Sequence, residues 1–436
     1  MRIDREIMRL SVPAILSNVT VPLLGLCDTA ISGHLGDAAC LGAIAVGSMM
    51  LNVIFWLFGF LRMGTTGLTA QALGKGSGQG VAEAFTRSCL LALILGVLLI
   101  ALREPLFSLL TMLIAPGPEV APLARRYFSI CIWESPATLL IMAVSGWLIG
   151  MQTTFWPMVT AITVNVVNIA LSLTLVFACG AGFAGVATGT LAANWVGVGV
   201  ALWAATKCSR GRPLMCPLST ALKGSELGKF FSVNSDLFLR SACIMAVTLA
   251  MTAFGSRLGT LALAANAVVM QFFHFFSFFM DGLAFTGEAL VGRFAGARDR
   301  AMTGLAVRRT MLWSGVVAVT FFIIYLAAWR PVTDMLTDLP DVRATVAGLQ
   351  MWIVAIPPVT VAAFIFDGFY IGATATRRML LAAAVAAAAF FAISHSGLDT
   401  GLNPNMQLWL SFMVYLALRG ALLGALWPST MRRLRL

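Results

Sequence analysis

One acidic residue lies alone in a long apolar stretch near the start of the chain. Asp28 follows Pro22 in the segment PLLGLCDTAISGHLG, which contains no Lys or Arg that could neutralise its carboxylate. An ionised side chain at the centre of a bilayer costs about 2.5–3.5 kcal/mol, so its presence indicates a function. Asp28 is predicted to bind and release a coupling proton; a purely structural hydrogen bond to a neighbouring helix is the alternative. Pro22, which lacks a backbone N–H, is predicted to be a hinge.

Uncharged polar side chains recur in two later apolar segments. Asn165 and Asn168 are three residues apart, and Thr190 and Asn194 are four residues apart. Each pair therefore shares one face of a helix. Amide and hydroxyl groups in such positions can hydrogen-bond a carboxyl group across a helix interface, or they can hold two helices together without a further role. Both interpretations stay open from the sequence.

The second half of the chain carries its own intramembrane charges. Asp236 and Arg240 are four residues apart, so an ion pair within one helix is the structural alternative to a functional role. Asp281 and Glu288 lie around the end of the next apolar segment. Asp367 lies in a Gly-x-x-x-Gly helix, where small residues allow close packing. These five residues are candidates for a second site.

Several catalytic and binding motifs are absent from the sequence. It contains no nucleotide-binding loop, no H-E-x-x-H and no G-x-S-x-G motif, its three histidines are scattered, and its eight cysteines form no C-x-x-C pair. We therefore predict no metal site, no cofactor and no ATP-driven transport by this chain alone. The cysteines are interpreted as small packing residues.

The elements that position these residues are membrane helices. The chain has 436 residues, of which 59% are hydrophobic and 11% charged, with a mean hydropathy of +0.91. Soluble domains carry roughly 25% charged residues, so a soluble enzyme is excluded. The whole stretch 135–206 has no Asp, Glu, Lys or Arg. Apolar runs of this length predict helices, because only helices and closed barrels satisfy their backbone groups in lipid.

Twelve spans are predicted along the chain. They lie near 12–33, 43–63, 88–110, 127–150, 157–178, 183–205, 232–254, 262–284, 311–328, 346–372, 379–397 and 406–427. With an even number of spans, both termini lie on one side, which collects 21 Lys and Arg residues against 6 on the other side. The positive-inside rule then places both termini in the cytoplasm. The excess positive charge needs no nucleic acid to explain it.

An internal repeat divides the chain. Residues 135–154 match residues 357–376 at six of twenty positions with an offset of 222, and the identities include Gly146/Gly368 and Gly150/Gly372. A weaker match at an offset of 217 sets Gln71 opposite Glu288. Because each half has six spans, the copies are parallel repeats. We predict an all-α polytopic membrane protein with two six-helix lobes, 1–205 and 230–436, joined by a basic cytoplasmic linker, 206–229.

Six blocks of sequence together resemble one transporter family, the multidrug and toxic compound extrusion (MATE) family, and within it the DinF-like branch. The blocks extend over nearly the whole chain; they are PAILSNVTVPLLGLCDTAISGHLG, LRMGTTGLTAQALG, SPATLLIMAVSGWLIGMQ, NSDLFLR, DGLAFTGEALVG and FDGFYIGAT.

This resemblance implies specific roles. The first-span Asp of DinF-like relatives is the proposed proton carrier, and that role falls on Asp28; the surrounding Asn and Thr fall on Asn168 and Thr190. Where many relatives have a second Asp four residues after that Asn, this chain has Ser172. The resemblance therefore leaves coupling to one acid.

The sequence thus predicts a plasma-membrane antiporter that exports small organic, cationic and amphiphilic compounds. Inward movement of protons, or of sodium ions, would drive the export by alternating access between the lobes. The resemblance implies a monomer. The alternative is a flippase for a lipid-linked precursor, which would need a strongly cationic cavity, yet only Arg240 and Arg419 lie within spans.

Overall fold

The chain folds into helices throughout the part that the structure describes. The computed structural model describes residues 2–33, 38–209, 211–222, 225–395 and 403–433; side chains are described for these residues except 21–24, 26–33, 38, 225, 226 and 433. Within these ranges the chain is α-helical apart from short connections, one 3₁₀ turn (Ile132–Glu134) and one π turn (Thr174–Ala178). The prediction of an all-α protein is confirmed.

Helices α1 to α10 form the first half of the chain. Their bounds are α1 Arg2–Gly33, α2 Ala38–Leu57, α3 Phe60–Gly74, α4 Gly78–Ala101, α5 Arg103–Ile114, α6 Val120–Cys131, α7 Ser135–Gly150, α8 Phe155–Leu173, α9 Gly182–Cys208 and α10 Leu218–Ala221.

Helices α11 to α17 form the second half. Their bounds are α11 Ser225–Arg257, α12 Thr260–Gly296, α13 Arg300–Leu336, α14 Pro340–Gly348, α15 Gln350–Gly372, α16 Thr376–His395 and α17 Pro404–Arg433.

Twelve helical segments are long enough to cross a bilayer. Within the described ranges, eleven helical segments combine the necessary length with high hydropathy. Helix α1, with 32 residues, is the twelfth. A crossing helix needs about 20 residues. Each span predicted from the sequence overlaps one of these segments, although the span predicted near 88–110 extends beyond the end of α4 at Ala101. The predicted fold class is confirmed.

The two halves repeat each other at a constant spacing. Helix α2 begins at Ala38 and α12 begins at Thr260, which is the offset of 222 already seen in the sequence. The first residues of α4 and α13 have the same offset, and so do those of α9 and α17. The offset found in one pair of sequence blocks therefore holds from the second span to the last, as expected for parallel repeats.

Repeated glycines bring equivalent helices into contact in each half. A Cβ atom on Gly146 of α7 would overlap the carbonyl oxygen of Arg62 on α3 and lie 3.0 Å from its Cα. A Cβ atom on Gly368 of α15 would overlap the carbonyl oxygen of Ala284 on α12 and lie 2.9 Å from its Cα. The two glycines and the two facing residues are related by the same offset of 222. Only glycine allows two backbones this close.

The same contacts correct the weaker sequence match. A Cβ atom on Gly150 would lie 2.9 Å from the carbonyl oxygen of Thr66, and one on Gly372 would lie 2.6 Å from that of Glu288. Thr66, rather than Gln71, is thus the structural counterpart of Glu288. The match at an offset of 217 was wrong because short apolar segments align by chance in a second register.

The chain divides into two compact units. The amino-terminal unit is Leu16–Phe230, and the carboxy-terminal unit is Met1–Ile15 with Phe231–Leu436. Helix α1 therefore contributes to both units, and so does α11. The boundaries predicted from the sequence, 1–205, 206–229 and 230–436, stay a prediction.

The start of α1 is anchored within the carboxy-terminal unit. Glu6 forms an ion pair of 2.8 Å with Arg293 on α12. The indole Nε1 of Trp313 on α13 donates to a carboxylate oxygen of Asp4 at 3.2 Å, and this hydrogen bond lowers the pKa of Asp4 below its usual value. A Cβ atom on Gly282 would lie 2.9 Å from the backbone nitrogen of Ile15. These contacts explain why the first residues of α1 belong to this unit.

Candidate functional site

The predicted proton carrier and hinge both lie on α1. Asp28 and Pro22 belong to this helix, but their side chains lie outside the described residues. The described part of α1 is joined to α8 two residues before Pro22, where Asn165 Nδ2 donates to the backbone carbonyl of Thr20 at 3.3 Å. Asn165 thus contacts the helix that carries the predicted hinge.

Three further predicted residues form one hydrogen-bonded group between α8 and α9. Asn168 Nδ2 donates to Thr190 Oγ1 at 3.1 Å, and Ser172 Oγ donates to Asn168 Oδ1 at 3.3 Å. Asn168 and Ser172 are 1% and 0% exposed. Because buried polar groups must be satisfied by one another in lipid, this pairing fixes the two helices together.

Close packing makes this pairing possible. Helices α8 and α9 approach each other at Gly189, where a Cβ atom would lie 2.6 Å from Ser172 Oγ and 2.9 Å from its backbone nitrogen. The short side chains at this crossing leave the amide of Asn168 within reach of α9.

The group extends to a carboxyl group that is not among the predicted site residues. Asn194 Nδ2 donates to the carbonyl of Thr190 at 3.1 Å and to Glu134 Oε2 at 2.9 Å. Glu134 is 5% exposed and ends the 3₁₀ turn before α7. Its one sequence signal is its place directly before the uncharged stretch 135–206.

A second buried cluster lies in the carboxy-terminal unit. Arg240 on α11 and Arg419 on α17 both pair with Asp367 Oδ2 on α15, and the Arg419 contact is 3.5 Å long. Arg419 also donates to the hydroxyl of Tyr415 at 3.0 Å. Asp281 on α12 acts electrostatically on the same arginine. The structure thus brings three predicted residues, Arg240, Asp281 and Asp367, near Arg419.

The two remaining predicted residues have other surroundings. Asp236 accepts a hydrogen bond of 2.8 Å from Thr376 at the start of α16. Glu288 is 1% exposed, and its backbone carbonyl lies against Gly372. Arg240 pairs with Asp367 on α15, a helix that is distant in the sequence. Arg419 was not selected as a site residue because its acidic partners are far from it in the sequence.

A cavity of about 250 Å³ opens in the amino-terminal unit away from these clusters. Three cations and one carboxylate line it, namely Lys75, Arg87, Lys229 and Glu83. Arg87 is engaged by Glu83 at 3.0 Å and by the carbonyl of Ala221 at 2.7 Å. None of the predicted site residues whose side chains the structure describes lines this cavity.

The helices and their buried polar clusters define the class of protein. Twelve spans in two parallel repeats, with separate polar groups inside each unit, are the architecture of a secondary transporter. The family model described as MatE matches residues 13–174 and 237–394, one match in each repeat. The chain belongs to the MatE family.

Relatives across this family share most of the chain. It is 36% identical over 427 residues to DNA damage-inducible protein F of Escherichia coli strain K12, covering 97% of this chain and 92% of that protein. It is 24% identical over 351 residues to the probable multidrug resistance protein NorM of Thermotoga maritima, covering 78% and 74%. The resemblance to the DinF-like branch is confirmed.

Solved structures share the fold at low sequence identity. The outward-facing conformation of a multidrug resistance MATE family transporter superposes with a TM-score of 0.88 at 18% identity, covering 100% of this chain and 97% of that one. A MOP superfamily transporter from Pyrococcus furiosus superposes with a TM-score of 0.81, also at 18% identity, covering the same shares.

Family membership fixes the general activity. The chain is a multi-pass membrane transporter of a multidrug and toxic compound efflux family, and it is not an enzyme. Transporters of this family need no cofactor, and they move small organic compounds across a membrane.

Proposed function

We propose that this transporter is a secondary active antiporter that exports organic cations in exchange for inward-moving protons. The observation that supports this most directly is the hydrogen-bonded group of Asn168, Ser172 and Thr190, beside the bond from Asn165 to α1. Together they connect two helices of the amino-terminal unit with the helix that carries Asp28.

The mechanism follows from the chemistry of that acid. A neutral carboxyl group donates a hydrogen bond that a carboxylate cannot donate, so protonation of Asp28 exchanges its partners. Pro22 lies six residues earlier and has no backbone N–H to donate, which gives the helix a place to bend. Proton and organic cation would then bind different conformations, and each would lower the affinity for the other by the same factor.

The carboxy-terminal cluster supports placing the coupling in the amino-terminal unit. Asp367 already compensates Arg240 and Arg419, so its negative charge is engaged by the protein itself. The same pairing weighs against the flippase, because these two arginines are engaged by a carboxylate instead of forming an open cationic surface. The chain would act as a monomer in the plasma membrane, with both termini in the cytoplasm.

Dye efflux from proteoliposomes tests the proposal. Vesicles containing purified protein are loaded with ethidium, an organic cation, and diluted into more acidic buffer. Wild type should release the dye faster as the pH difference grows. Asp28→Asn cannot bind the proton, so the gradient-driven rate should fall by at least about fivefold, the lower end of typical coupling between two sites.

A control variant and a sodium gradient show whether dye release depends on protons and on Asp28. Asp341→Asn, at an exposed position in the first turn of α14, should release the dye as wild type does. A sodium gradient at equal pH should give no comparable release. Undiminished efflux by Asp28→Asn, or release driven by sodium ions alone, would contradict proton coupling at this residue.

A further inference from the structure

Glu134 is a buried carboxyl group of the amino-terminal unit that the coupling scheme above does not use. It ends the 3₁₀ turn before α7 and is 5% exposed. Its Oε2 atom accepts a hydrogen bond of 2.9 Å from Asn194 Nδ2 on α9. A carboxyl group within a predicted membrane span (127–150) is costly to insert, so its presence calls for a function.

Asn194 connects Glu134 to the polar group between α8 and α9. The same amide nitrogen donates to the backbone carbonyl of Thr190, and the hydroxyl of Thr190 accepts from Asn168, which in turn accepts from Ser172. Among these linked side chains, Glu134 carries the carboxyl group, and the others are amides and alcohols.

This difference in chemistry decides which member can carry a proton. Amides and alcohols can reorient their hydrogen bonds, but they neither gain nor lose a proton near neutral pH. Protonation of a carboxylate converts one accepting oxygen into a donor. A proton bound at Glu134 would therefore change what Asn194 can donate to, and the change would reach Thr190 and Asn168.

The charged and titratable groups of the helices around this turn pair with other residues, lie exposed or are thiols. The turn that contains Glu134 packs against α4, α6, α7 and α9. On α6, Arg125 pairs with Glu104, the Tyr127 hydroxyl accepts from Ser48, and Arg126 is exposed; Cys131 Sγ lies against the carbonyl of Ala187.

On α4, Arg87 pairs with Glu83, and Cys89 is a buried thiol. Helix α7 has no charged residue, and the charged residue of α9 is Lys207 in its last turn, more than three turns beyond Asn194. The bond from Asn194 is one contact of the Glu134 carboxyl group.

We propose that Glu134 is a second proton-binding residue of the amino-terminal unit. Binding of an organic cation would displace a proton from the Glu134 carboxyl group to the solvent, leaving a carboxylate, and reprotonation from outside would help to release the cation. This inference rests on the proposed proton antiport and deepens it, since two acids instead of one then contribute protons to each cycle.

Proton counting on cation binding tests this role. Ethidium binding to purified protein in detergent is measured calorimetrically at each of several pH values in two buffers of different ionisation enthalpy, and the difference between the buffers gives the protons released. Glu134→Gln keeps the acceptor for Asn194 but cannot release a proton. The count should fall by as much as about one proton per bound cation, because linked binding is reciprocal.

Controls separate this role from a structural one. Glu119→Gln, at an exposed residue before α6, should release as many protons as wild type. Asn194→Leu keeps the carboxyl group but removes its hydrogen bond, so the pH at which proton release is half-maximal should shift. An unchanged count in folded Glu134→Gln would overturn the inference.

If Glu134→Gln fails to fold, the test is the pH of half-maximal proton release in Asn194→Leu. If that pH is the same as in wild type, the inference is overturned. Failure of the proposed antiport itself would look different, because wild type would then release no protons at all.

Discussion

Asp367 balances two buried arginines in the carboxy-terminal unit, so the loss of its charge should destabilise that unit. Arg240 and Arg419 are 5% and 4% exposed, and both contact the same carboxylate oxygen. Asp367→Asn would remove the negative charge of the carboxylate that both guanidinium groups contact. Removing one partner of a buried ion pair costs about 3–5 kcal/mol, so we expect a clearly lower midpoint of thermal unfolding in detergent.

A surface pair provides the control for this prediction. Asp338 pairs with Arg343 at 3.0 Å, but its side chain is fully exposed. Exposed pairs contribute about 0–1 kcal/mol, so Asp338→Asn should unfold at nearly the wild-type temperature. The coupling is proposed for the amino-terminal unit. Asp367→Asn protein that folds should therefore still release ethidium when a pH gradient is applied across the vesicle membrane. Loss of gradient dependence at wild-type stability would assign Asp367 to transport instead.

The sequence identified the residues of these clusters better than it identified their partners. The family resemblance brought Asn168 and Thr190 together, and Ser172 was singled out because it occupies the position of a second Asp in many relatives. The partner of Arg240 could not be found in this way, since Asp367 is 127 residues distant and the nearest sequence acid is Asp236. Glu134 and Asn194 are 60 residues apart, so only the packing of α7 beside α9 shows that they meet.

At the scale of elements, glycine positions set how closely equivalent helices pack. A Cβ atom on Gly146 or Gly368 would overlap a backbone carbonyl of the facing helix. Gly146→Ala and Gly368→Ala should therefore force the helices apart and cost about 1–3 kcal/mol, as overpacking does. The measurement is again the thermal unfolding midpoint in detergent.

Gly315 is the matched control for these two variants. It lies inside α13, and a Cβ atom there would meet nothing within 4 Å. Because alanine is favoured over glycine in a helix by about 1 kcal/mol, Gly315→Ala should be neutral or slightly stabilising. Equal losses at all three positions would show that the cost is general to glycine substitution and not due to close packing.

Helix positions were predictable, whereas helix interruptions were not. Uncharged stretches such as 135–206 define spans without any knowledge of packing, because lipid excludes charge. The break between α2 and α3 at Phe58–Gly59 and the 3₁₀ turn at Ile132–Glu134 leave hydropathy unchanged, so no apolar pattern marks them. The mistaken pairing of Gln71 with Glu288 arose from the same lack of a packing constraint.

At the scale of the whole molecule, the repeat preserves helices but not chemistry. At the offset of 222, the positions equivalent to Asn168, Thr190, Asn194 and Glu134 are all apolar: Phe390, Phe412, Leu416 and Ile356. Conversely, the positions equivalent to Arg240, Asp367 and Arg419 are Asn18, Ser145 and Gly197. One unit thus keeps uncharged hydrogen-bonding groups around a carboxyl group, while the other keeps a compensated charge cluster, which is consistent with different roles for two similar scaffolds.

The orientation of the molecule follows from charge and can be measured directly. The 21 basic residues on one side, against 6 on the other, predict a cytoplasmic linker and an external loop between α5 and α6. Gly117 lies in that loop with open space around it, and Met215 is 59% exposed in the linker. In a chain whose native cysteines are replaced, Gly117→Cys should react with an impermeant maleimide on intact cells, while Met215→Cys should react only after the membrane is permeabilised. The opposite labelling pattern would show that the predicted orientation is inverted. Protons moving into the cell would then enter the transporter from the face that is predicted to be cytoplasmic.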